Sequence, residues 1–187
     1  MAEQAEDGAA DLVQLWEEHI RHEFSTRNTD ETLKTMVEDA YVDHVPVLTG
    51  GSGQAENYES STRPTSSRKC RRIWRWCPCP GPSAATSLSM RWSSNSPIAS
   101  KWNWMLPGIP PTGRRVEVSL VVIVRFRDGK LAHEHIYWDQ VSVLVQIGLL
   151  DSEKLPVSGA ESARKVLDPA VPANSLIRRV IKEKAGR

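Results

Sequence analysis

Several kinds of feature are scarce or missing in this chain, and most of these scarcities remove a class of explanation. Cysteine occurs only at Cys70, Cys77 and Cys79. That spacing matches no zinc pattern, and outside this one stretch there is no thiol from which to read a redox compartment. No apolar run reaches the ~18 residues that span a bilayer, so no membrane partner is expected. The N-terminus, MAEQAEDGAADL, is acidic where a secretory signal would be basic and then apolar. A cytoplasmic address is the expectation. No internal repeat is present. Neither Gly-x-Ser-x-Gly nor Gly-x-Cys-x-Gly occurs, which removes the strand-to-helix nucleophile elbow of an α/β-hydrolase.

A further scarcity is local. Between Tyr58 and Trp102 the only acid is Glu59, while the same 45 residues hold 11 Ser, 6 Arg, 5 Pro, all three Cys and four of the seven Trp. Both flanks are ordinary acidic sequence with clean periodicity. This break in composition reads as translation out of frame. Shifting the frame by one base turns the T-initial codons of Ser, Cys, Trp and Tyr into codons for apolar residues. Suitable wobble bases then yield alternating strings such as MEMVPV and MVFEFTH, which are strand patterns. Residues 58–102 are therefore expected to be frameshifted and without order. Taken at face value instead, RKCRRIWRWCPC interleaves Arg with Trp as a nucleic-acid or anionic-membrane binder would, and its cysteines suggest a metal clip. The segment carries eight basic residues against one acid, so the chain's net +1 becomes 1 − 7 = −6 outside it. A mildly acidic remainder argues against phosphate-backbone binding, and no nucleic-acid partner is expected.

The credible sequence is one domain by length. Residues 1–10 are expected to be flexible, 11–150 to form the domain, and 151–187 a C-terminal extension. From Asp11 to Phe24 the residues Leu12, Leu15, Trp16, Ile20 and Phe24 recur at helical spacing, with Asp11 as cap. A shorter helix follows a cap at Asn28 or Thr29, with Leu33, Met36 and Val37 inward. Ala40 to Val45 reads as extended, and Gly50-Gly51-Ser52-Gly53 as a loop. Val116 to Phe126 is a long β-branched strand. Arg127-Asp128-Gly129-Lys130 turns it, and the return strand runs from Leu131 to about Gln140. The loop is either a two-residue turn or a three-residue one with a bulged Gly, and a one-residue slip exchanges the faces. On the return strand His133, His135, Tyr137 and Asp139 share one face, and Glu134, Ile136, Trp138 and Gln140 share the other. A short helix is expected from Glu161 to Leu167, before a basic, frayed end RRVIKEKAGR.

Three pieces, AYVDHVPVLTGG (Ala40 to Gly51), FRDGKLAHEHIYWDQ (Phe126 to Gln140) and VLVQIGLL (Val143 to Leu150), resemble in order and spacing the SnoaL-like polyketide cyclase branch of the NTF2-like superfamily. Some relatives of this kind carry the name carboxymethylenebutenolidase. The resemblance implies an α+β cone, in which a curved antiparallel sheet packs on N-terminal helices and encloses a pocket, here disrupted at about 58–102. It also implies binding of a small hydrophobic, carbonyl-bearing molecule. Aldol-type cyclisation, isomerisation or hydrolysis would follow without a cofactor, and the frame-restored chain is expected to be a homodimer. The rival readings are a non-catalytic ligand-binding or dimerisation module on the same fold, or a nucleic-acid binder if the Arg/Trp segment is genuine.

The residues that could carry such chemistry follow from this reading. Asp139, at the strand end, matches the family's pocket-mouth carboxylate, which apolar surroundings would tune as a general base; alternatively it caps the next element. His135 and His133 share its face and could polarise a carbonyl. Two His at i, i+2 can ligate a metal, but no third ligand stands at suitable spacing, so no metal is expected. His44 matches a pocket-edge His, or else is a structural residue beside Pro46. Tyr137, Tyr41 and Trp16 are expected to line the pocket. His19 and Glu23, one turn apart, read as a rim pair rather than a dyad.

Overall fold

The computed structural model describes residues 2–53, 70–77, 83–92, 103–153 and 155–185, with backbone alone at 2–10, 24, 70–77, 83–92 and 183–185. Helix α1 spans Ala2–Ile20 and runs directly into a π-helical turn, Arg21–Thr26, closed by Arg27 at φ 54°. The start is earlier than the periodicity suggested. Residues 2–10, expected to be flexible, are helical, and Asp11 sits inside the helix instead of capping it. Asn28 then caps α2, Thr29–Lys34, accepting from Glu31 N–H at 3.2 Å, because its side chain satisfies one of the helix's unpaired amide donors. Met36, expected on that helix, opens a strand.

Among the described residues, six strands form one sheet. They are β1 Met36–His44, β2 Thr49–Ser52, β3 Cys70–Cys77, β4 Ser83–Trp92, β5 Val116–Arg127 and β6 Lys130–Trp138, in the order β2-β1-β6-β5-β4-β3. Neighbours are antiparallel except β1 and β6, which run parallel, so the curved antiparallel sheet has one parallel seam. Gly50 lets β2 close tightly on β1, since a Cβ there would lie 1.9 Å from the Val42 carbonyl. The β5–β6 turn is the two-residue type: Asp128 and Gly129 both have positive φ (53° and 69°) between the paired Arg127 and Lys130. That conformation matches the strand twist and favours Asp-Gly. A register shift between Arg125 and Phe126 sets Arg125 opposite His133 and Phe126 opposite Leu131.

Two stretches of the segment expected to lack order are strands. Ser83–Trp92 pairs along β5 and Cys70–Cys77 along β4. The strand assignments cover these two stretches only, while 58–69, 78–82 and 93–102 lie outside the described residues. The physical reason is visible in SLSMRW. Leu88, Met90 and Trp92 alternate with Ser87, Ser89 and Arg91, and by register they pair with Leu120, Val118 and Val116, all buried.

Beyond β6, α3 (Gln140–Gln146), α4 (Ala160–Leu167) and α5 (Ser175–Ala185) complete the chain. The core has two lobes. One gathers Trp104, Met105, Leu106, Trp138, Val143 and Ile147 around the start of β5; the other packs Trp16 and Ile20 of α1 on Met36, Ala40, Val122, Val124, Phe126 and Leu131. Ile136 touches both. Among the described residues no helix is long and apolar enough to cross a membrane.

Candidate functional site

Burial decides which face of β6 is inside. Glu134 and Trp138 are buried, whereas His133 and His135 are half-buried and Tyr137 is exposed. The face that the sequence offered as pocket lining is therefore the outer one. Periodicity defines two faces but does not say which meets the helices. The pairing of β6 with β1 decides it, because Val42, half-buried under the α1 lobe, stands beside Glu134.

The inner face carries a carboxylate in apolar company. Val42 of β1 and Val124 of β5 flank Glu134 in register. Its Oε1 lies 3.2 Å from Nε2 of His19, and the two side chains are only 6% and 3% exposed. Helix α1 supplies His19 next to Trp16, whose ring stacks on the imidazole at 5.6 Å and 12°. The other ring nitrogen, Nδ1, is 2.7 Å from Thr35 Oγ1. Thr35 donates its own hydroxyl hydrogen to the Thr32 carbonyl at 2.6 Å, so towards His19 its oxygen can only accept. Nδ1 therefore carries a hydrogen. A neutral imidazole would then present a bare Nε2 to the carboxylate, lone pair against lone pair. The contact is satisfied only when a proton lies between them, as imidazolium–carboxylate or as imidazole–carboxylic acid. Glu23, half-exposed on the π turn, stands 4.0 Å from the same Nε2. Burial lowers the His19 pKa, but the Glu134 hydrogen bond and charge, Glu23 and the Thr32 carbonyl outweigh it and hold the value above the ordinary one. The expected rim pair of His19 and Glu23 is thus corrected to a buried His19–Glu134 pair with Glu23 at its edge. The alternation placed Glu134 opposite the histidines on its strand, but nothing local announced its partner on α1.

The other sequence candidates fall elsewhere. Asp139 is exposed and caps α3, accepting from Ser142 N–H at 3.0 Å, the alternative to a pocket base. His44 is buried at the far end of the inner face, where Nδ1 donates to the Thr49 carbonyl at 3.1 Å and the ring packs on Trp104 (5.1 Å) and Trp138 (5.9 Å). Trp16 is buried in the inner-face core lobe. On the outer face, Tyr41, His133 and His135 form a compact group, with His133 4.7 Å from each neighbouring ring and Tyr41 Oη 3.1 Å from His135 Nε2. Partial burial, then the neighbouring His135 and Arg125, depress the pKa of His133. Among the described residues no three His, Cys, Asp or Glu side chains gather as a metal site would require.

Comparison with known proteins agrees with this architecture. Residues 90–147 match the family model for SnoaL-like polyketide cyclases. No curated protein matches the chain. Among solved structures, the protein from Jannaschia sp. CCS1 assigned as a SnoaL-like polyketide cyclase is similar at TM-score 0.58 and 14% identity, over 76% of this chain and 94% of that one. A protein from Silicibacter sp. TM1040 assigned as a polyketide cyclase gives 0.56 and 14%, over 72% and 93%. The epoxide hydrolase/cyclase-like enzyme SalBIII of pyran ring formation in salinomycin gives 0.53 and 14%, over 71% and 94%. At such identities the likeness is one of fold: the chain is α+β and NTF2-like, and SnoaL-like from 90 to 147.

Proposed function

We propose that the chain binds a small hydrophobic, carbonyl-bearing molecule against the inner face of the sheet and moves a proton on it, with Glu134 as base and His19 as the acid that holds the proton in transit. The supporting observation is the single proton that the buried His19–Glu134 contact requires on the inner face. A buried imidazole whose pKa is raised by a carboxylate partner is a candidate for acid–base work. Aldol-type closure and isomerisation both need a base to remove the proton α to a carbonyl and an acid to return one. A carboxylate beside an imidazolium supplies both. Trp16 and His44 would line the ligand's apolar surroundings, while Asp139 and His135 are assigned to capping α3 and to the outer face.

The test needs no natural substrate. Proton–deuterium exchange at the α-carbon of aryl-substituted ketones, followed by NMR, should run above the buffer rate. Glu134→Gln should lower it by about a hundredfold or more, and Asp139→Asn should leave it within about twofold, because the amide oxygen still caps. Exchange at the buffer rate with the natural chain overturns the reading.

A second reading, a dimerisation module, has its own observation. Tyr41, Val121, Ile123 and Tyr137 are exposed together on the outer face, with Val121 opposite Tyr137 and Ile123 opposite His135. Sedimentation equilibrium of Val121→Lys against the unaltered chain decides it: a dimer converted to monomer supports this reading.

A further inference from the structure

Helix α5 is held to the body on one side only. Arg179 donates to the carbonyls of Ser152 (2.9 Å) and Leu155 (2.5 Å), and Leu176 beside it is half-buried. The free flank next to it shows Ile177, Val180 and Ile181, at i, i+3 and i+4, exposed by 59, 45 and 60%. Arg178 and Lys182, also exposed, border this stripe. The helix SLIRRVIKEKA holds four basic residues against one acid, on a chain that is otherwise acidic outside 58–102. An apolar ridge with a cationic border is the surface that lies in an anionic bilayer interface.

We propose that α5 is a membrane-surface dock, seating Ile177, Val180 and Ile181 among the acyl-chain ends of an anionic lipid layer while Arg178 and Lys182 meet its phosphates. The charge border selects an anionic partner and disfavours a second copy of the same basic helix. The shape selects lipid over a protein groove. Groove ligands present anchors at i, i+3 or i+4, and i+7, and the i+7 position from Ile177 is Lys184. The apolar anchors of α5 stop after little more than one turn, enough for a shallow seat in a yielding surface. Arg179, bound to the body, keeps the stripe facing outward and prevents any partner from wrapping the helix.

Flotation of the full chain with vesicles tests this directly. Binding is expected to phosphatidylcholine vesicles containing 30% phosphatidylserine and not to phosphatidylcholine alone, and it should be lost in 0.5 M salt. Ile177→Ser with Ile181→Ser removes the ridge and keeps the charge, while Arg178→Gln with Lys182→Gln does the reverse. Each pair should weaken binding, the second by about fivefold per charge. Circular dichroism should be unchanged in both, since these side chains face solvent. Equal flotation with both vesicle types, no flotation at all, or undiminished flotation of either double variant overturns the proposal. So does a ridge variant that changes the oligomeric state of the chain, which would assign the stripe to a second copy.

Discussion

His19 is the residue whose chemistry is most constrained by its neighbours. Thr35 fixes one ring hydrogen and Glu134 demands the other, with Glu23 adding negative potential at the edge. Because these groups raise its pKa above the ordinary value, the folded state binds a proton more tightly than the unfolded chain does. The resulting stabilisation is fully present below the unfolded value of about 6.5 and is lost as pH rises through the folded value. The melting temperature of the natural chain should therefore fall across that interval at constant ionic strength. His19→Phe removes the titrating group and should flatten this part of the profile. An identical slope in both proteins would show that the imidazole is not charged in the fold. The pair could not be read from the sequence, because the partners come from α1 and β6 and no local motif joins them. The two faces of β6 were legible from its alternation. Their inward and outward assignment was not, since histidines and a glutamate look equally polar until β1 is set beside them.

At the scale of elements, legibility followed the locality of the signal. A cap at Asn28 or Thr29 before a first turn with two acids, and a turn at Asp-Gly between two β-branched runs, are signals complete within a few residues; the structure selects Asn28 and the two-residue turn from the alternatives they left. The parallel seam between β1 and β6 depends on a long-range closure, and the π turn on how α1 meets the sheet, so neither left a local trace. The short helix expected at Glu161–Leu167 forms, as α4, and what holds it is tertiary. Arg164 donates through Nε and Nη2 to both oxygens of Glu117, each at 2.9 Å, and the carboxylate is only 6% exposed. Gln146 of α3 clasps the backbone of the same residue, accepting from its N–H at 2.8 Å and donating to its carbonyl at 2.9 Å. Two helices thus fasten to one position of β5. Arg164→Ala should destabilise the protein by about 1–3 kcal/mol in denaturant titration, since a buried carboxylate loses a two-pronged charged donor. Arg164→Lys should recover only part of this, for an ammonium cannot make the fork. A loss below a few tenths of a kcal/mol would mean that solvent around the half-exposed guanidinium screens the contact away.

For the molecule as a whole, the question is whether 58–102 belongs to the fold. Its composition speaks for a foreign segment, and the nucleotide sequence either spells the shifted strands or does not. The sheet offers a separate physical criterion. Strand β5 is central when β4 is present and becomes an exposed apolar edge when it is absent, a state that invites association. In the ladder Leu88, Met90 and Trp92 pair with the buried Leu120, Val118 and Val116, whereas Ser87 and Ser89 pair with Val121 and Ser119. This alternation lets the segment complete the sheet even if its codons are read out of frame, since a strand needs only the right period and a neighbour. Ordering its backbone costs about 1–2 kcal/mol per residue, which only a formed ladder with buried inner positions can offset. Hydrogen exchange should accordingly show amides of Ser83–Trp92 protected to a degree approaching those of Val116–Arg127, with Cys70–Cys77, the edge strand, exchanging faster. The whole set should open together in a single cooperative melt. If β4 amides exchange at the rate of a free peptide while β5 and β6 stay protected, the segment is foreign to the sheet. The frame-restored chain would then be the one to fold, and it should gain protection across the same interval.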